Sequence, residues 1–470
     1  MRAFGMAWHI KISRSRNATC FNAVGTERGQ RGSAENHLES ERMKALERVL
    51  VADEVTKPLA ALAMVLVVFL AVATVRAGDW PQFRGPNGNG VAEGNDYPLS
   101  WGREQNIKWK VDLPAPGAGS PIVSADRVFL ASGSEDGRQR SLLCFDRGDG
   151  MLLWTQTVEF GEDTTHIKNP FGSTTPAADG QRVVVWHSSA GLYCYDYSGQ
   201  RLWSRDLGEF RHIWGYGSSP IIYKDRVLLQ TGPGARVFLT AIDLASGKTL
   251  WETDEAYTGD KNADDVGAWS TPVVAQVDGR PQIICAMSTR VCGYDLDDGD
   301  LLWWCDGLSG SRYDAVSSSP LIENGIGFAM ADLRGPAMGF RLGGTGNVTT
   351  SNRLWHVEKR NPSSVGTGIM VGRYIYRPNS GPGTLECLDA ETGESLWKSR
   401  AKDHWASMVL AGGHLYALSQ RGTTIVFKPN PEEFELVAEN ELDGVTNATP
   451  AFSEGQIFIR TEEHLYCIDQ

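Results

Sequence analysis

The chain has 470 residues, 41% hydrophobic and 22% charged, which excludes wholesale disorder and calls for several domains or one repeat array. A formal net charge of −12 argues against a nucleic-acid partner, because phosphate binding needs a basic face. The 52 glycines and 15 tryptophans suit many short strands and turns better than helices.

The charge is uneven. Residues 1–77 carry 11 Lys/Arg against 7 Asp/Glu, a net of +4 that leaves −16 on the rest. Leu59–Val75 is an uncharged apolar run of 17 residues, preceded by Lys57 and followed by Val75-Arg76-Ala77. A basic flank, an apolar core and small residues at the cut predict a secretory signal cleaved after Ala77. The alternative is a retained N-terminal membrane anchor, for which the run is slightly short. Met43-Lys44 makes a more natural start for such a signal than Met1. Met1–Arg42 then reads as an upstream extension or a disordered tail. The expected organisation is 1–58 as extension and basic flank, 59–77 as apolar core and cleavage site, 78–105 as the mature N-terminal segment, and 106–470 as a repeat domain.

The repeat domain is built on one phrase: a small residue plus Pro, a strand pair ending in Asp, a Gly turn, then Leu-Trp. It is clearest from Ser218-Ser219-Pro220 through Ala241-Ile242-Asp243, Gly247 and Leu250-Trp251. Other copies begin at Ser120-Pro121, Thr175-Pro176, Thr271-Pro272 and Ser319-Pro320, the last with Arg341 where Asp is expected. Trp154, Trp203, Trp251, Trp303, Trp355 and Trp397 are spaced 49, 48, 52, 52 and 42 residues apart. That is the period of a four-stranded propeller blade. A seventh copy, opening at Ser407-Met408, is degraded. An eighth begins at Thr449-Pro450 and stops at Asp469 without its Leu-Trp strand. Asn106–Val111 looks like the missing strand, so the expected fold is all-β, an eight-bladed propeller closed by an N-terminal strand. In each copy Asp caps a turn, Gly supplies positive φ, and Trp fills the wedge between blades, all scaffold roles.

The phrase Ala241 to Trp251 resembles the tryptophan-docking repeat of the pyrroloquinoline-quinone (PQQ) propeller superfamily, and Leu388 to Trp397 nearly matches it. The resemblance spans about Trp101–Gln470. Asp79-Trp80-Pro81-Gln82-Phe83-Arg84-Gly85-Pro86 resembles the mature N-terminus of exported PQQ-like propellers of planctomycetes. The superfamily holds both quinoprotein dehydrogenases and non-enzymatic members, such as the outer-membrane assembly lipoprotein of the Bam complex. The dehydrogenase branch implies PQQ, Ca²⁺ and a vicinal Cys-Cys. None of the eight cysteines is adjacent to another, and no Cys-x-x-Cys-His haem motif occurs. A lipobox cysteine is also missing near Ala77. Cys144, Cys194, Cys292, Cys387 and Cys467 hold equivalent positions in different copies, so they read as small buried hydrophobes. Cys285 and Cys305 share a copy and are the one pair placed for a disulfide.

Ligands of propellers meet the channel mouth, where the loops leading into each small-Pro start converge. Those loops carry His166, Lys168, Trp214, Tyr216, Trp269, Arg312, Tyr313, Asp314, His404 and Trp405, with His212, Asp264, Asp265 and Lys359–Asn361 beside them. Aromatic platforms next to ionisable groups suit a sugar or another small polar ligand, or a protein partner. Asp314 with Arg312, and Asp264 with Asp265, are the carboxylates to consider as base or Ca²⁺ ligands. No catalytic residue and no metal set can be named. The expected function is an exported, non-catalytic ligand- or protein-binding scaffold without a cofactor; the alternative is a PQQ- and Ca²⁺-dependent dehydrogenase of alcohols or sugars. Trp251 is expected to be wedged between blades, and Trp269 to stand partly exposed at the channel.

Overall fold

The computed structural model describes residues 78–470, apart from 162, 164, 235, 258, 333, 359–364, 380 and 382. The apolar run, the Ala77 junction, Met43, Cys20 and Lys359–Asn361 lie outside the described residues. No described helix is long and apolar enough to cross a membrane.

The fold is an eight-bladed β-propeller. Blade 1 runs Ile122–Ser124, Arg127–Gly133, Gln139–Asp146 and Leu152–Glu159 from the channel outward. The innermost strands of blades 2 to 8 begin at Ala177, Ile221, Val273, Leu321, Ile369, Val409 and Ala451. Within each blade the four strands are antiparallel, and in blades 1 to 4, 6 and 7 each pairs with its chain neighbour. Second strands such as Arg182–Trp186 and Gln456–Arg460 are buried almost throughout, because neighbouring blades cover both faces. Outermost strands such as Ser395–Arg400 alternate half-buried and exposed, because one face meets solvent. Ile107–Asp112 pairs with His464–Ile468, placing Trp109 opposite Cys467, and supplies the outermost strand of blade 8.

The tryptophans lock each blade to the next. The indole N–H of Trp203 donates to Leu244 O at 2.9 Å, that of Trp251 to Leu296 O at 3.1 Å, and that of Trp355 to Ala390 O at 2.8 Å. Trp109, Trp154 and Trp397 do the same to Arg147, Tyr197 and Asn430. Five of the six rings, all but that of Trp397, lie on the turn glycine of the following blade, where a side chain would crowd them. Trp303 departs from this pattern. It donates to Gln282 Oε1 at 2.8 Å within its own blade. Blade 5 has Arg341 where the turn-capping Asp should be, and its turn is lengthened by the short helix Thr349–Asn352, so the docking carbonyl is displaced. The turn aspartates cap as expected: Asp243 Oδ1 accepts from Ser246 N at 2.7 Å and Asp389 Oδ1 from Glu391 N at 2.9 Å.

The segment after residue 78 is part of the propeller. Trp80 exchanges two 2.9 Å backbone bonds with Val123 of blade 1. Pro81 O accepts from Ala178 N of blade 2, and Gln82 Oε1 from Ile222 N of blade 3. Gly90 O and Ala92 N bond Leu410 of blade 7. The segment thus covers innermost edges that a propeller otherwise leaves unpaired. Blade 7 lacks a docking tryptophan, and Trp101 fills that wedge. Its ring stacks on Tyr416 at 6.3 Å, and its backbone N–H, not the indole, donates to Asn440 Oδ1.

The seven described cysteines are free and buried. Cys285 faces Cys292 across paired strands, not Cys305, so the pairing considered from sequence is not formed. Burial pushes the thiols up, that of Cys144 to about 12, which leaves them inert packing groups.

Candidate functional site

Eight hydroxyls ring the channel, one from each blade. Ser120 N donates to Thr175 Oγ1 (3.0 Å), Thr175 N to Ser219 Oγ (2.9 Å), Ser219 N to Thr271 Oγ1 (3.1 Å) and Thr271 N to Ser319 Oγ (3.0 Å). Ser319 N then donates to Thr367 Oγ1 (3.0 Å), Thr367 N to Ser407 Oγ (3.1 Å), Ser407 N to Thr449 Oγ1 (2.9 Å), and Thr449 N back to Ser120 Oγ (3.0 Å). The circle closes head to tail. Each hydroxyl accepts a backbone N–H and keeps its own O–H to donate. The following residue is Pro in six of the eight positions, and a proline has no N–H to satisfy on the channel wall.

Seven of these hydroxyl residues line a well of about 660 Å³. Phe83 of the N-terminal segment also lines it, so that segment bounds the well as well as covering the inner strands. Trp214, Trp269 and Trp405 line the well too. The loops are stitched together. Asn169 Nδ2 donates to Trp214 O (2.7 Å) and Tyr216 O (2.9 Å), and Trp269 Nε1 to Gly215 O (2.9 Å). Asn447 Nδ2 reaches Lys168 O at 3.0 Å, while the Lys168 ammonium lies over the Trp405 ring, 5.3 Å from its centroid.

His166, Lys168, Trp214, Trp269, Tyr313 and Trp405 are thus brought to the well, with Asp264 and Asp265. His166 packs against Trp214 at 4.4 Å, and burial with nearby Lys168 lowers its pKa. Four sequence candidates lie elsewhere. Tyr216 is buried, its hydroxyl accepting from Arg140 Nη1 at 3.1 Å. His404 is fully buried, and burial holds its pKa down at about 4. Arg312 is exposed and stacks on Tyr313 at 4.8 Å. Asp314 is fully buried and saturated by Tyr257 Oη (2.5 Å), Ser309 Oγ (2.8 Å), Gly310 N (3.1 Å) and Lys261 Nζ (3.0 Å). These partners give Asp314 a role in holding the loops, which is not a base or metal-ligand role. Trp251 and Trp269 are both half-buried and each donates to a carbonyl, so Trp269 is a wall of the well and an anchor at once.

Asp332 lines the well and was missed in the sequence. It sits between the second and third strands of blade 5, its N–H bonded to Ala315 O at 2.8 Å. Oδ2 accepts from Ser317 Oγ, another lining residue. Oδ1 is buried without a partner, and the residue is 7% exposed. Burial raises its pKa to about 7, against a Ser317 bond that pulls it down. No motif surrounds it in the chain; a lone Asp before an irregular loop gives no signal.

The folded carboxyl of Asp332 keeps its proton up to about pH 7, whereas the unfolded chain loses it near 3.8. Between those values the folded state binds more protons, so this group's contribution to stability falls as pH rises from about 4 to 7, then levels. Asp332→Asn removes the penalty. It should raise stability by about 1–3 kcal/mol at pH 8 and change little at pH 4. Thermal melts at both pH values check this, and an equal shift at each would refute it.

The described lining sets the carboxylates of Asp264, Asp265 and Asp403, and the buried carboxyl of Asp332, against one ammonium, that of Lys168. A tricarboxylate quinone such as PQQ does not fit this lining, because like charges in a partly desolvated well repel strongly. Among the described residues, no three His, Cys, Asp or Glu side chains are grouped so as to hold a metal ion.

The family model for the outer membrane protein assembly factor BamB matches residues 138–399 and 381–470. No curated protein matches the chain. Similar solved structures include BamB from Moraxella catarrhalis, at 16% identity over 77% of this chain and 96% of that one, with a TM-score of 0.53. The quinohemoprotein alcohol dehydrogenase from Comamonas testosteroni matches at 12% identity over 85% of this chain and 81% of that one, with a TM-score of 0.56. The computationally designed Ika8 protein matches at 13% identity over 77% and 99%, with a TM-score of 0.53. At such identities these structures speak for the fold alone. Eight blades, the docking tryptophans and a family match over most of the propeller lead to one assignment: the chain belongs to the PQQ-like propeller family described by the outer membrane protein assembly factor BamB.

Proposed function

We propose that this chain is an exported, non-catalytic propeller whose well binds a small polar ligand. The observation that carries this reading is the well itself: hydroxyls from the inner ring line it together with Trp214, Trp269 and Trp405. Indole faces and O–H donors are the groups that hold a sugar-sized polar molecule. The stitched loops support the reading, since a preformed site loses little entropy on binding. Export is supported by the signal-like run at Leu59–Val75, and N-terminal sequencing of the exported protein should begin at Gly78.

Titration with a panel of neutral mono- and disaccharides, followed by tryptophan fluorescence and calorimetry, tests the function. Saturable binding that Trp405→Ala weakens about tenfold, with an unchanged unfolding midpoint, is the expected result. If neither these sugars nor their amine counterparts bind, the well is not the site.

A further inference from the structure

Asp332 is an unusual group to keep in a scaffold. One of its oxygens, Oδ1, is buried without a hydrogen-bond partner, and the bonds that hold the carboxyl come from Ser317. An isolated buried carboxylate costs stability, so a site that retains one is shaped for something other than folding. The rest of the well is also suited to a cation. Asp264, Asp265 and Asp403 add negative charge around it. Aromatic faces attract cations through their ring quadrupoles, and the chain already places one ammonium, that of Lys168, over the Trp405 ring.

We propose that the ligand of this well carries a primary ammonium group, which docks on the unpartnered Oδ1 of Asp332. This rests on the reading of the well as a binding site and narrows it to a chemical class. Ser317 holds Oδ2, which leaves Oδ1, a buried atom of a residue that lines the well, as the open acceptor once the carboxyl ionises. An ammonium supplies donors and a compensating charge together, whereas a neutral hydroxyl supplies only a donor. An anion would meet the lining carboxylates. The ammonium can be borne by an amino sugar or by a linear diamine, and both present the same group.

Calorimetry at pH 7 with glucosamine, N-acetylglucosamine, glucose and cadaverine tests the proposal. Glucosamine should bind at least tenfold more tightly than glucose or N-acetylglucosamine, and Asp332→Asn should abolish that preference. The variant is expected to fold at least as well as the native chain, so its loss would report on binding. Cadaverine binding without glucosamine would assign the site to linear amines, with the same loss in Asp332→Asn. Equal affinity for glucose and glucosamine would overturn the ammonium assignment and leave the polar-ligand reading in place. A preference that survives in Asp332→Asn would also overturn it. Binding of no probe would remove both.

Discussion

Arg84→Met is expected to cost about 3–6 kcal/mol, a large share of the roughly 5–15 kcal/mol that holds a typical domain together. Arg84 is 1% exposed, and among the described residues its guanidinium forms no ion pair with a carboxylate. It is satisfied by carbonyls instead: Asn89 O at 2.8 Å, Gly368 O at 2.7 Å, Gly88 O at 3.3 Å, Thr367 O at 3.3 Å and Met408 O at 3.4 Å. Burial lowers its pKa only to about 9, so it remains charged at neutral pH. It therefore ties the N-terminal segment to blades 6 and 7, while Trp80, Pro81 and Gln82 tie it to blades 1 to 3. Methionine fills similar volume but strands several buried carbonyls. Arg84→Lys should recover little, because a single ammonium cannot span that fork of acceptors. Urea unfolding of the three proteins checks the expectation. A Met variant within about 1 kcal/mol of the native chain would show that the segment is not anchored through this residue.

Gly299→Ala is expected to destabilise by about 2–5 kcal/mol. Gly299 has φ of +77°, and a Cβ there would lie 2.3 Å from Cε3 of Trp251. Two costs add: left-handed backbone strain on a non-glycine residue, and displacement of the ring that locks blade 3 to blade 4. Gly325 separates them. Its φ is +78° and nothing lies within 4 Å of its Cβ position, so Gly325→Ala carries the backbone cost alone, about 1 kcal/mol. In the double variant with Trp251→Ala, the Gly299→Ala penalty should shrink towards the Gly325 value. Equal penalties at Gly299 and Gly325 in the native background would mean that the ring does not press on that turn.

Much of the fold could be read along the chain because each blade is a local unit. Asp243, Gly247 and Trp251 lie within nine positions, and the same turn is written again around Asp389, Gly393 and Trp397. The exception at Trp303 was also marked, by Arg341 in place of the turn Asp. The hydroxyl ring was written just as regularly, at Ser120, Thr175, Ser219 and their counterparts. Each copy alone shows only the start of a strand; closure of eight copies turns these residues into a circuit.

Local pattern could not separate the walls of the well from the core beside them. Trp214 and Tyr216 are two residues apart, yet one lines the well and the other is buried under Arg140. Trp405 and His404 are adjacent and divide in the same way. Asp314 looked like a free carboxylate until Tyr257 and Lys261, more than fifty positions away, were brought onto it. Asp332 looked like nothing until burial stripped it of water. The mature N-terminal segment was set apart from the repeat domain by its sequence, although it runs along the inner strands of five blades. The blades, their number and most of the tryptophans that lock them follow from short-range turns and periodicity along the chain, whereas the role of Trp101 does not. Which polar groups keep a partner and which line an open well depends on packing across blades, because desolvation is set by segments that meet only when the ring closes.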